Sequence, residues 1–406
     1  MIPSEYAPFA DIIRIVHPDE LPAGDYTMFG TGERAVLIRS LCDGRRGVRI
    51  SSLLEHDDMA QTPAAIRHGL PVRSPSTASG NIIIGASHPA FFNNQLRHLL
   101  ERQEHVRSIY FIDEEKRNRD LEPLGPANGR VLAFIEYSAR YGTDSGQRLI
   151  EFLRTTGWRV RMIHAMDFKA AETVIYDGCI FANGQSPAGR AMHESLLKNS
   201  RTKPNFMEWG FFPQSAHAYL DRKGVNQECS LMSDDLRWVE DRHIRRIEEV
   251  RSEFLSGFVR KEPKYILVPL QMPLDSNVVN SSRFNHGMQE FIDFTIASHR
   301  DKSLPMLFKA HPKDVNKAGY DYRGHACTDR PFTALLPEAA LVHGISSTTL
   351  YEAALAGIPV ISEGTGLLNR HATQCQRLLA AMIDRQFKID ASDFSYHIAT
   401  YTSLPR

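Results

Sequence analysis

Short apolar runs, each closed by glycine, proline or a polar residue and followed by apolar positions at helical spacing, recur along the chain. Such runs read as strands buried on both faces of a parallel sheet, with the segments between them as crossover helices. The pattern therefore predicts the α/β class. In the first series Tyr26 to Phe29 is a strand, a helix reaches about Leu41, and Val48 to Leu54 is the next strand. Asn81 to Gly85 and Ser108 to Asp113 follow as two more, flanking a helix from Ala90 to Glu101. The second series places strands at Val131 to Ile135, Trp158 to Ile163, within Thr173 to Phe181, and at Pro204 to Met207, with helices over Gly146 to Thr155 and Pro187 to Lys198. The third places strands at Tyr265 to Val268, Met306 to Phe308, Ala340 to Val342 and Val360 to Ser362. Its helices cover Met288 to Ser298 and about Ser347 to Ala356, the second closed by Gly357 with Pro359 just beyond.

The breaks between series suggest domains. Glu114 to Gly129 is charged and then rich in proline and glycine, as a linker would be. Trp238 to Val259 is highly charged, with Val239, Ile244, Ile247, Val250 and Phe254 at helical spacing, and reads as a connector helix with a solvated face. We therefore expect a Rossmann-like N-terminal module over residues 1–118, then an acceptor-side domain over 126–255 and a donor-binding domain over 256–406. The last two, facing each other across a cleft, would form a GT-B-like pair of Rossmann-type domains.

Composition narrows the partners. The 406 residues carry 48 basic and 48 acidic side chains, a formal net charge of zero, which argues against non-specific nucleic-acid binding. The five cysteines are scattered without metal-ligand spacing and read as thiols of a reducing compartment. There is no basic segment followed by an apolar core at Met1 to Glu5, and no apolar run long enough to span a bilayer. The expected location is the cytoplasm, with peripheral association at the inner face of the cytoplasmic membrane or with a polysaccharide assembly complex left open.

Candidate chemistry collects at strand ends. Gly30-Thr31-Gly32-Glu33-Arg34-Ala35 has the spacing of a dinucleotide-binding turn, and Glu55, at the end of the next strand, stands where a ribose-binding acid would. A lone fingerprint of this kind more often serves the turn alone, so NAD is not expected as a cofactor. Ser346, Ser347, Thr348 and Thr349 lie between a strand and a helix, where hydroxyls and free N–H groups can cradle a phosphate. They can equally cap the helix, and Thr349 with Glu352 has capping-box spacing; the two roles are compatible. His311 follows a strand and precedes Pro312, which disfavours helix there, so it can face a ligand with Lys309 or Lys313 supplying charge. Glu208, between Met207 and Trp209, sits in an apolar setting that raises a carboxyl pKa and suits acid/base work. Asp275, followed by Ser276 and Asn277, sits in a polar one. Two carboxylates in contrasting environments suit glycosyl transfer, although an ion pair for Glu208 and a turn cap for Asp275 explain each singly.

As an ordered set, Glu208-Trp209-Gly210-Phe211, Asp221-Arg222-Lys223-Gly224-Val225-Asn226, Pro269-Leu270-Gln271 through Asp275-Ser276, His311-Pro312 and Ser346-Ser347 resemble bacterial capsule-polysaccharide synthesis proteins, in particular transferases of 3-deoxy-manno-octulosonic acid (Kdo). The resemblance spans roughly residues 130 to 385. It implies a CMP-activated 2-keto sugar acid as donor and a capsule or lipopolysaccharide glycan or glycolipid as acceptor. It places His311, Ser346 and Ser347 on the CMP phosphate, with Lys309, Lys313, Thr348 and Ser276 as further donor-side candidates, and the stretch from Glu352 to Val360 is similar to nucleotide-sugar transferases in general, in which such a glutamate binds the ribose. It implies Asp275 as nucleophile of a retaining reaction and Glu208 as acid/base. The His-Pro and Ser-Ser pair is shared with sialyltransferases, in which a carboxylate near Glu208 serves direct, inverting attack; Trp209 departs from their commoner motif. No Asp-x-Asp metal clamp occurs in the sequence, so metal-independent chemistry is expected. Two other readings are an NAD-dependent sugar-modifying enzyme built on Gly30, Gly32 and Glu55, and a non-catalytic scaffold of glycan assembly.

Overall fold

A computed structural model describes residues 9, 11–30, 33–42, 45, 47–55, 66–67, 69–85, 95–96, 98–99, 102, 104–112, 130–136, 146–165, 176–182, 192–193, 196, 203–273, 275–284, 287–312, 314 and 317–405. These form two compact units, one of Met1–Met207 with Ser403–Arg406 and the other of Glu208–Thr402. The division falls inside a strand, just before Glu208. The predicted helices Ala90 to Glu101 and Pro187 to Lys198 lie largely outside the described residues, as does the linker.

The first unit holds two parallel sheets. In the first, β1 (Ile13–Val16), β2 (Gly24–Phe29), β3 (Val48–Leu54), β4 (Ile66–Arg67), β5 (Leu70–Arg73), β6 (Gly80–Ile84) and β7 (Val106–Ile112) run in the order β1-β7-β6-β2-β3-β5-β4. All neighbours are parallel except β4 with β5. Helix α1 (Glu33–Cys42) leaves β2 through Gly30, whose φ of 113° is open to glycine but not to larger residues. A Cβ on Gly85, at the end of β6, would lie 2.9 Å from that of Ala35, so the small residue at position 35 does permit close helix packing. The second sheet pairs β8 (Arg130–Glu136) with β9 (Trp158–His164) and with β10 (Gly178–Ala182), and β10 with β11 (Asn205–Trp209), all parallel. Helix α2 (Gln147–Thr155) buries Leu149, Ile150 and Leu153.

The second unit begins with an antiparallel pair, β12 (His217–Asp221) with a late strand, β18 (Gln386–Lys388). Helix α3 (Asp241–Phe254) is the charged helix, shorter than its apolar spacing suggests, because Leu255 leaves the helix and Gly257 turns the chain at φ 76°. The third sheet contains β13 (Tyr265–Pro269), β14 (Met306–Lys309), β15 (Ala326–Thr328), β16 (Ala339–Gly344) and β17 (Val360–Ser362), all parallel, in the order β15-β14-β13-β16-β17. Its crossover elements include α4 (Ser276–Ser281), α5 (Met288–Ser298) and α6 (Thr348–Leu355). The chain then adds α7 (Leu367–Arg370), α8 (Cys375–Arg385), β18 and α9 (Ser395–Tyr401). β13 is central, so Ile266, Leu267 and Val268 are buried on both faces, which is why its sequence is an unbroken apolar run. One core cluster packs Phe284, Phe291 and Ile292 beneath it, and another packs Leu335, Leu350 and Ala353 on the far side.

The segment from Asp221 to Asn226, part of the family resemblance, is structural in this fold. Asp221 is fully buried and accepts hydrogen bonds from the N–H groups of Lys223, Gly224 and Ser230 and from the Ser230 hydroxyl. The buried Arg385 guanidinium pairs with the same carboxylate and donates to Ser230 Oγ at 2.8 Å. Asp221 thus ties the turn after β12 to the end of α8. Removing one partner of a buried, hydrogen-bonded pair leaves the other charge uncompensated. Asp221→Ala should lower the stability of this unit by about 3 kcal/mol in equilibrium denaturation; a change within error would show that the pair does not hold the turn.

Candidate functional site

In the third sheet the chain builds outward from β13 in one direction, through β14 and β15, and then in the other, through β16 and β17. Strand order reverses between β13 and β16, and the crevice beside such a reversal, outside the carboxyl ends of the strands, is where open parallel sheets bind ligands. Asp275, His311 and Ser346 follow the carboxyl ends of β13, β14 and β16, three adjacent strands, so the topology brings them to one edge. The two central loops are also bonded to each other. Gln271, 4% exposed, accepts the Ser346 N–H through Oε1 at 2.9 Å.

The loop after β16 is both a cap and a candidate anion cradle. Ser347 is the N-cap of α6, in extended conformation, and its Oγ accepts the Thr349 N–H at 3.3 Å and the Thr349 hydroxyl at 2.9 Å. Thr349 therefore does not open a capping box with Glu352, since the cap sits two residues earlier. The Ser346 hydroxyl, by contrast, is buried and has no hydrogen-bond partner among the described residues. A buried hydroxyl without a partner is costly, which fits a group awaiting a ligand. Beside it runs Gly364, where a Cβ would meet the Ile345 carbonyl at 2.9 Å and Ser346 Cβ at 3.0 Å. Thr348 is the first residue of α6, whose leading N–H groups have no partner within the helix.

Glu208 and Asp275 share this neighbourhood. Glu208 is 8% exposed, and its Oε1 accepts the N–H of the following Trp209 at 2.9 Å. Burial pushes its carboxyl up to about 7; the Trp209 N–H pulls it down, and the negative charge of Asp275 pushes it up further. Asp275 is thus close enough for its charge to be felt. It is also the N-cap of α4, accepting the Asn277 N–H through Oδ1 at 2.8 Å, so the capping role open in the sequence is real. Among the described residues its Oδ2 takes no hydrogen bond. Ser276 opens α4 directly behind it.

Aromatic residues fix the segment that carries Glu208. Phe211 stacks on Tyr219 with centroids 5.1 Å apart and meets Tyr351 of α6 edge-on at 5.9 Å. The Phe211 and Phe212 N–H groups both donate to Gln386 Oε1. Asn277, behind Asp275, accepts from Gln227 Nε2 at 2.8 Å. Glu352, next to Tyr351, is pushed up to about 7 by burial alone. Lys309 turns its ammonium onto the adjacent Ala310 carbonyl at 2.7 Å. His311 is half-buried, and Lys313 lies outside the described residues.

Gln271, Phe211, Tyr219 and Tyr351 carry structure at this site that the sequence alone did not assign. Gln271 and Phe211 stood within the motifs that carry the family resemblance, which gave neither a role. The glycine-rich turn of the first unit is a separate matter. Gly30 adopts the expected conformation, Gly32 lies outside the described residues, and the Glu55 N–H pairs with the Arg73 carbonyl at 3.1 Å. Among the described residues no group of three or more His, Cys, Asp or Glu side chains is placed to hold a metal ion, and no helix is long and apolar enough to cross a membrane.

The chain matches no protein-family model and no curated protein. Among solved structures it is similar to KpsC of Thermosulfurimonas dismutans, in two forms. Against the β-Kdo 2,7-transferase the identity is 14% and the TM-score 0.47, covering 64% of this chain and 92% of that one. Against the β-Kdo 2,4-transferase they are 14% and 0.46, covering 62% and 89%. The glycosyltransferase SnogD from Streptomyces nogalater is a more distant likeness, with 11% identity and a TM-score of 0.25 over 80% of this chain and 96% of that one.

Glu352 gives the site a measurable pH signature. Its carboxyl rises from the ordinary 4.5 to about 7 on folding, so its contribution to stability is complete below 4.5 and lost as pH rises through 7. Glu352→Gln, which mimics the protonated form, should match wild type near pH 4.5 and exceed it by about 1–3 kcal/mol at pH 8 in thermal or denaturant unfolding. A difference that does not change with pH would contradict the buried, unpaired carboxylate.

Proposed function

We propose that the protein is a glycosyltransferase that moves a 2-keto sugar acid of the Kdo type from a CMP-linked donor to a hydroxyl of a capsule or lipopolysaccharide glycan. The observation that carries this reading is the pair of unlike carboxylates, Glu208 buried and held near 7 within reach of the charge of Asp275, in the same unit as an unsatisfied serine hydroxyl at the sheet's reversal. A sugar phosphodiester fits the donor end. Ser346 Oγ and the first N–H groups of α6 take the phosphate oxygens, with His311 beside them. Glu352, on the same helix, accepts a ribose hydroxyl.

The chemistry follows a double displacement. Asp275 attacks the anomeric carbon through the oxygen that does not cap α4; the bond to the phosphate oxygen breaks, and its electron pair leaves with CMP. An acceptor hydroxyl then attacks the same carbon, Glu208 takes the hydroxyl proton, and the bond to Asp275 breaks to regenerate the carboxylate. Burial of Glu208 serves this step, since a base whose pKa lies near the working pH both accepts and releases the proton readily. A phosphodiester leaving group carries less charge than a diphosphate, so serine, helix N–H groups and histidine suffice without a metal. The surroundings of the glycan acceptor, and any peripheral membrane or assembly partner, belong to the same proposal.

Asp275→Ala should lower turnover with CMP-Kdo by at least about 10³-fold, and intact mass spectrometry of wild type with donor alone should detect a sugar-sized adduct that the variant lacks. Near-normal turnover in the variant would remove Asp275 as nucleophile, and turnover without an adduct would favour direct, inverting attack with Glu208 as base. Because Glu208 must be ionised to accept the proton, kcat should rise with pH to a plateau above about 7, and Glu208→Gln should abolish that dependence. CMP, not UDP, GDP or NAD, should raise the Tm of wild type, and a chelator should leave turnover unchanged; protection by NAD alone would point to the first unit's glycine turn instead.

A further inference from the structure

The other end of the third sheet carries a cavity that the proposed chemistry does not use. It lies beside the start of β14, opposite the end that leads to His311, and has a volume of about 570 Å³, within the usual size of a small-molecule site. Its wall includes His299, Arg300, Lys302, Arg323, His325 and Asp293. Asp293 is the one acid in that wall, and Arg323 holds it at 3.4 Å. Arg300 and Lys302 are exposed and make no ion pair among the described residues. They follow the C-terminal end of α5, whose partial negative charge favours cations there. The cavity is therefore cationic, in a chain with no net charge.

The polarity of a buried chain of side chains behind the wall identifies a hydrogen-bond acceptor without a donor. Glu363 is paired with Arg283 at 2.8 Å and accepts from His343 Nε2 at 3.0 Å. A neutral His343 that donates through Nε2 must accept through Nδ1, so the 2.8 Å bond from His299 Nε2 is donated by His299. That leaves His299 Nδ1 as a lone pair, buried and without a partner among the described residues. His299 itself is 8% exposed. Ile296 and Leu304 add an apolar surface.

We infer that this cavity is a second ligand site, for a sugar acid. The carboxylate pairs with Arg300 and Lys302, a hydroxyl donates to His299 Nδ1, and the ring's C–H face lies on Ile296 and Leu304. A lone phosphate would fill a small part of the volume and leave the His299 lone pair and the apolar wall unused. The choice of a Kdo-type acid as occupant rests on the proposed function; the site itself does not, because none of its residues takes part in the proposed reaction. At the far end of the sheet from the reacting groups, it would hold a sugar-acid unit of the glycan rather than the donor.

The test is calorimetric titration of free Kdo, and separately of inorganic phosphate, into wild type, the Arg300→Glu/Lys302→Glu double variant and His311→Ala. Kdo should bind wild type and His311→Ala alike and bind the double variant roughly tenfold more weakly or not at all. Absence of Kdo binding to wild type, equal binding to the double variant, loss in His311→Ala, or binding of phosphate but not Kdo would each overturn the inference. CMP protection, measured on the same proteins, should persist in the double variant. Its loss in every protein, wild type included, would instead count against the donor reading.

Discussion

The reversal of strand order between β13 and β16 is the constraint on which the site depends. Because the chain returns to β13's other side after building β14 and β15, the loops that leave β13 and β16 diverge from a common edge and open a crevice between them. The core on both faces of β13 makes that edge rigid. Ile266, Leu267 and Val268 have no freedom to shift, so the residues just past them, Gln271 and Asp275, inherit a fixed starting point. The bond from Ser346 to Gln271 then ties the two loops to each other.

Around that edge the electrostatics are set by burial more than by pairing. Glu208 and Glu352 are both pushed up to about 7, and in both the first cause is loss of water. Neither has the basic partner that a structural carboxylate in the same fold possesses. Asp221 shows the contrast: fully buried, it is surrounded by three N–H groups, a hydroxyl and the Arg385 guanidinium. The same fold thus holds one buried carboxylate in a full set of donors, and leaves Glu208 with the Trp209 N–H and no basic partner among the described residues.

Much of this was legible in the sequence, and for a definite reason. Parallel strands buried on both faces write themselves as apolar runs, so Met288 to Ser298 as helix and Val360 to Ser362 as strand were read with the boundaries they have. The apolar neighbours of Glu208 likewise announced its raised pKa. The antiparallel strands β12 and β18 and the helices α8 and α9 were not read, since they depend on partners far away in the chain and carry no repeating signal of their own. The cap of α6 stayed open among Ser346, Ser347, Thr348 and Thr349 because four consecutive hydroxyl residues offer several equivalent starts, and only the turn out of β16 selects Ser347. Gln271 lay within a motif of the resemblance but without a role, because that role is defined by Ser346, a residue on another loop.

That glutamine has a further consequence. Its amide oxygen accepts the Ser346 N–H, so the loops after β13 and β16 are tied by a side chain and not by backbone pairing. A tie of that kind rests on one residue, so a single substitution at Gln271 would release the two loops from each other while leaving the strands' own ladder intact.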